Sequence, residues 1–168
     1  MTTPVALELP RPWLPIVVAT YVALGILFLG VCVVQYGLFV LAGYYAQQLP
    51  GYLEWQLPIL IPALAFGVCV QVGVVATAVL VARVRSGRIL EPSALRWVDA
   101  LVGAVTVAGL LTVVLAIVFR LADALPPGIM LLLVLGGVGL LVLDLLLLVL
   151  RSLLRRAIIL RAELDEVV

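Results

Sequence analysis

The chain has no histidine and no lysine, and it has only two cysteines. Without histidine it lacks the commonest metal ligand and the commonest general base near neutral pH. Cys32 and Cys69 both sit inside apolar runs, with no Cys-x-x-Cys and no ligand spacing. They read as small buried hydrophobes rather than as a disulfide framework or a metal site. No nucleophile–base pair is recognisable, so the expectation is a non-enzymatic protein with no metal and no cofactor. Charge is scarce as well. Of 168 residues, 11% are charged and 66% hydrophobic, whereas soluble domains carry about a quarter charged residues. A soluble fold of this size could not hide so much apolar surface, which leaves an integral membrane protein. No DNA-reading motif is present, so direct nucleic-acid binding is not expected. All ten basic residues are arginine, a composition typical of a GC-rich bacterial genome.

What the chain does have is long apolar runs. A membrane helix needs about 20 apolar residues, and four segments qualify: about 13–44, 59–82, 98–121 and 128–150. The expected class is therefore all-α, a single polytopic membrane domain over 1–168. Its four transmembrane helices would form an antiparallel bundle. The first span exceeds a signal-peptide core of roughly 7–15 residues and reads as an uncleaved anchor that tilts or projects. Pro58 and Pro62 are expected to open the second span. Pro126-Pro127-Gly128 makes the third connection a tight hairpin.

The charges sort by connection. Arg11 precedes span 1. Arg83, Arg85, Arg88 and Arg96 lie between spans 2 and 3. Arg151, Arg155, Arg156 and Arg161 follow span 4. Only Arg120, offset by Asp123, falls between spans 3 and 4, and none falls between spans 1 and 2. With alternating spans, nine of ten arginines share one side. Short loops rich in basic residues stay cytoplasmic, so both termini are expected inside the bacterial inner membrane. Tyr44, Tyr45, Tyr52 and Trp55 would then mark the outer interface, and Trp13 and Trp97 the inner one.

The stretch RVRSGRILEPSALRWVD (83–99) therefore serves as a topology signal, and it is also a candidate docking surface within the cytoplasmic loop 83–97. Pro92 suits a first helical position, so helix 3 should begin before the membrane. Within helix 3, Ala100, Ala104, Ala108, Thr112 and Ala116 recur every four residues, a stripe that lets another helix approach closely. Gly136, Gly137 and Gly139 in helix 4 serve the same end. Past residue 150, Leu146, Leu150, Leu153, Ala157, Leu160, Leu164 and Val167 continue a heptad seam out of helix 4. The tail 151–168 is expected to prolong that helix unbroken to about Leu164. Glu163, Asp165 and Glu166 at its end oppose the helix macrodipole, which points to a basic partner for them. With Arg155, Arg156, Leu160 and Leu164, Glu163 and Asp165 complete the candidate docking surface.

Asp144 is the one charge inside an apolar core. A carboxylate there costs about 2.5–3.5 kcal/mol on insertion scales and marks a candidate site. It lies roughly 10 Å above the inner interface, at 1.5 Å per residue from Arg151. Counted from their own inner ends, Thr77, Thr106, Thr20 and Tyr21 reach the same level. Two readings stand. In one, the threonines satisfy their own backbones and Asp144 reaches down to Arg151. In the other, these five residues form an inward-facing polar layer. Gln35 is expected near the outer end in contact with water, and Gln71 near mid-bilayer, bonding a neighbouring helix.

The motifs SGRILEPSALRWVDAL (86–101) and RSLLRRAIILRAELDEVV (151–168) resemble the actinobacterial branch of the bacterial proteins grouped as domain of unknown function family 2975. The similarity extends over nearly the whole chain. Where that family commonly has serine before the proline, this chain has Glu91, a poorer N-cap. Asp144 matches no hallmark of the family. Its members are often encoded beside small helix-turn-helix regulators, so the resemblance implies a membrane partner for a DNA-binding protein. Taken together, the sequence points to docking or sensing through the arginine-rich loop and the C-terminal helix. The expected partners are the lipid bilayer and either another protein or a second copy. The alternatives are a small oligomeric transporter or channel subunit using Asp144, and an accessory subunit of a larger membrane complex.

Overall fold

A computed structural model describes residues 14–48, 53–86, 92–122 and 127–165. They form four helices: α1 (Leu14–Gln48), α2 (Leu53–Arg85), α3 (Pro92–Leu121) and α4 (Pro127–Asp165). All four are long and apolar enough to cross a membrane. The chain is an all-α, multi-pass membrane protein, as its composition requires.

The helices run longer than their apolar runs. α1 continues to Gln48, and α2 begins at Leu53 rather than near 59. Pro58 and Pro62 consequently lie inside α2 instead of opening it. A proline removes one backbone donor, and in a membrane neighbouring groups re-satisfy the freed carbonyl. Trp55 belongs to α2 rather than to the connection before it. α3 starts at Pro92, and proline is favoured at a first helical position. α4 has no break between Pro127 and Asp165. It carries no proline and no glycine after Gly139, and good helix formers dominate its end.

Contacts between α3 and α4 show their direction. Along α3, Thr112, Thr106 and Asp99 meet Gly137, Asp144 and Arg151 in turn, so the two helices are antiparallel. The same holds for α1 and α2, where Tyr21 meets Ala78 and Gln35 meets Leu64. Among the described residues each helix packs only against its neighbours in the chain: α1 on α2, α2 on α3, α3 on α4. The antiparallel set is thus an open row, with α1 and α4 at its two edges.

Most of the core lies on the central pair α2–α3, with Val17 and Ala42 of α1 buried as well. Ala76 is fully buried, and Val74, Val98, Ala104, Ala108 and Thr112 are nearly so. Three of the five positions in the Ala100–Ala116 stripe are therefore covered, which is the packing its spacing implies. Without a hydrophobic drive between helices in lipid, such small side chains gain by close van der Waals contact. Of the four glycines in α4, only Gly137 faces a neighbour. A Cβ there would meet Thr112 Cγ2 at 3.8 Å, while Gly136 and Gly139 look onto open space.

Candidate functional site

The membrane-embedded polar residues separate into two groups. The first joins α1 to α2. Gln71 donates through Nε2 to Gln35 Oε1 at 3.0 Å and to Cys32 Sγ at 3.2 Å. Gln35 Nε2 in turn donates to the Leu64 carbonyl at 3.2 Å. The Gln35 side chain lies directly on Gly67, and any Cβ at that position would overlap it. Gln35 is half-buried and bonds two groups on the neighbouring helix. Gln71 bonds a neighbouring helix as expected. Gly67 gave no sign of its role in the sequence. The available clue was a mid-helix glycine in an apolar span whose neighbour carries a glutamine. Cys32 and Cys69 are both free thiols and half-buried.

The second group joins α3 to α4. Thr106 Oγ1 lies 3.0 and 3.1 Å from the two carboxylate oxygens of Asp144, and 2.9 Å from the Val102 carbonyl. One heptad further along the two helices, Arg151 Nε pairs with Asp99 Oδ1 at 2.6 Å. Seven residues separate Asp99 from Thr106 and Asp144 from Arg151, so both contacts recur on one seam between the helices. Arg151 is thereby committed to Asp99, and Asp144 to Thr106. Each side chain of the ion pair is nearly half exposed, so the pair stabilises by no more than about 1 kcal/mol.

The five residues placed at one depth do not form a single layer. Thr20 bonds the Ile16 carbonyl and Thr77 the Gly73 carbonyl, each within its own helix. Tyr21 donates across to the Ala78 carbonyl on α2 at 3.1 Å. Only Thr106 meets Asp144. Equal depth fixes height in the bilayer but not position around the row, and α1 and α2 do not touch α4.

Thr106 has a single proton to share between two acceptors. With an ionised Asp144, the hydroxyl donates to the carboxylate. With a protonated Asp144, the carboxyl donates to Oγ1 and the hydroxyl turns to Val102.

At the end of the row next to the arginine-rich loop, Arg83 donates through Nη1 to Ser93 Oγ, tying the end of α2 to the first turn of α3. Ser86 caps the Arg83 carbonyl at 3.1 Å. Arg85 and Arg96 are exposed, as are Arg155 and Arg156 on α4. Arg88 lies outside the described residues. Leu160, Glu163, Leu164 and Asp165 lie within α4, with side chains outside the described residues.

No curated protein and no solved structure matches the chain. A family model does, over residues 40–168, which takes in the α1–α2 connection, the arginine-rich loop, the Thr106–Asp144 pair and the whole of α4. The chain belongs to the family described as protein of unknown function (DUF2975).

Proposed function

We propose that this chain is a non-enzymatic docking or sensing protein of a bacterial cytoplasmic membrane, with both termini on the cytoplasmic side. Its working surface is the loop 83–96 together with the extension of α4. The observation that carries this reading is the length of α4. The helix runs on to Asp165, fourteen residues past Arg151, or about 21 Å at 1.5 Å per residue. The Asp99–Arg151 pair fixes the root of that extension to α3, and the Arg83–Ser93 bond fixes the loop to the same end. Arg155 and Arg156 stand exposed beside the heptad seam. A seam of leucines outside the bilayer is stable only when covered. The fitting occupant is a cytoplasmic protein, such as a small helix-turn-helix regulator, or a second copy of this chain.

Replacing Leu160 and Leu164 together with Asp tests this. Each buried leucine contributes about 1.5–3 kcal/mol, so association should weaken by about a hundredfold or more. Membrane insertion should be unchanged. The readout is a cross-linked pull-down from native membranes. A double variant that keeps its partners and its oligomeric state would remove the seam from the account.

The Thr106–Asp144 pair favours a second reading, a small oligomeric transporter or channel subunit. A carboxyl inside a membrane span, bonded to a hydroxyl of the next helix, is the kind of group that marks a proton or cation path. Four spans in an open row would need further copies to enclose a path.

A further inference from the structure

Arg120 is the exception to the charge pattern, the one arginine that does not fall with the other nine. A topology signal does not call for it. It has no ion-pair partner among the described residues. Its side chain lines the end of a groove between α3 and α4 with a volume of about 510 Å³. The rest of the lining is almost wholly apolar, with Thr112 and Ala116 on α3, and Met130, Val134, Gly137 and Leu141 on α4. The small side chains of Ala116 and Gly137 leave the space open.

The dimensions match one half of a bilayer. From Met130 to Leu141 the groove follows α4 for about 16 Å at 1.5 Å per residue, and one leaflet's hydrocarbon is about 15 Å deep. A single guanidinium at the interface and an apolar trough one leaflet long make an amphiphile site. Arginine presents a fork of donors that matches phosphate oxygens.

We propose that this groove binds one anionic phospholipid from the leaflet on the Arg120 side, with its phosphate against Arg120 and an acyl chain along α4. The occupant is an anionic lipid rather than a helix of a second copy. The positive charge sits at headgroup height, and the groove ends where a leaflet ends.

The test uses the full chain reconstituted in phosphatidylcholine vesicles. These are doped with a photoreactive phosphatidylglycerol or with the matching photoreactive phosphatidylcholine, each carrying a diazirine near the chain end. Cross-linked peptides are then mapped by mass spectrometry. Labelling within Met130–Leu141 should be about fivefold greater with the anionic probe, the order expected for one basic residue at an anionic surface. Arg120→Gln should abolish that preference, and Arg120→Lys should keep most of it. Val134→Trp, at an exposed position in the groove, should reduce labelling by both probes. Glycerol phosphate in solution should not compete. Equal labelling by both probes, an unchanged preference in Arg120→Gln, or label spread evenly over all lipid-facing helices would each overturn the proposal. Displacement by glycerol phosphate would overturn it as well, because the site would then take a soluble phosphate.

Discussion

Substituting Gly67 by leucine should separate α1 from the rest of the protein. The Gln35 side chain occupies the place of any Cβ at residue 67. It is held there by its bond to Leu64 and the one it accepts from Gln71. A larger residue must therefore push out a side chain anchored at both ends. Overpacking costs about 1–3 kcal/mol. Each lost interhelical hydrogen bond in a membrane adds about 0.6 kcal/mol. The sum, roughly 2–4 kcal/mol from those two sources, is large for this interface, because α1 has no other helix to lean on. Cysteines placed at Tyr21 and Ala78, residues in contact across α1 and α2 in the wild type, should lose most of their cross-linking in Gly67→Leu. The milder Gly67→Ala should cost much less once Gln35 is also alanine, since the obstacle has gone. An equal cost in both backgrounds would show that Gln35 is not what makes glycine necessary.

Replacing Asp144 with leucine should make the protein more stable, and replacing its partner should make it less so. Thr106→Val leaves the carboxyl facing hydrocarbon with its donor gone, a loss of about 1–3 kcal/mol. Asp144→Leu removes the polar group itself and recovers about 2.5–3.5 kcal/mol of insertion cost. Thr106 keeps its bond to Val102 in that variant, so nothing is left unsatisfied. The double variant should behave like Asp144→Leu alone. Unfolding equilibria in mixed detergent measure the order of the three. If Asp144→Leu proves the least stable, the carboxyl holds the helices together and is not a tolerated expense. A more stable protein that has lost a proton-linked response would instead favour the transporter reading.

The four spans were legible because apolar runs of bilayer length have few alternative explanations. The Ala104–Ala108–Thr112 stripe was legible too, because a period of four on a helix defines a face. The ends of the helices were not. Gln47, Gln48 and Leu53 lie beyond the apolar runs, yet the helices include them, because a helix does not stop where hydropathy falls. The Thr106–Asp144 contact was among those foreseen, and its neighbours were not. Depth can be counted along one helix, but which helices meet depends on packing between chains of similar composition. The open row explains why Thr20 and Thr77 bond their own backbones at the same height as Asp144. It also explains why Gly67 escaped notice. A glycine acquires its meaning from the side chain opposite, and the sequence does not say which side chain that is.

If the face that carries the arginine-rich loop and the α4 extension binds another protein, as proposed, a cross-linker placed there should capture it. A photoreactive phenylalanine analogue at Arg155, compared in intact cells with the same residue at Gln47, tests it most directly. Both positions are exposed, and they lie at opposite ends of the row. The account predicts a discrete protein cross-link from Arg155 that is absent from Gln47 and is lost when Leu160 and Leu164 are both Asp. Cross-links to a protein from Gln47 alone, or none from either site, would contradict it.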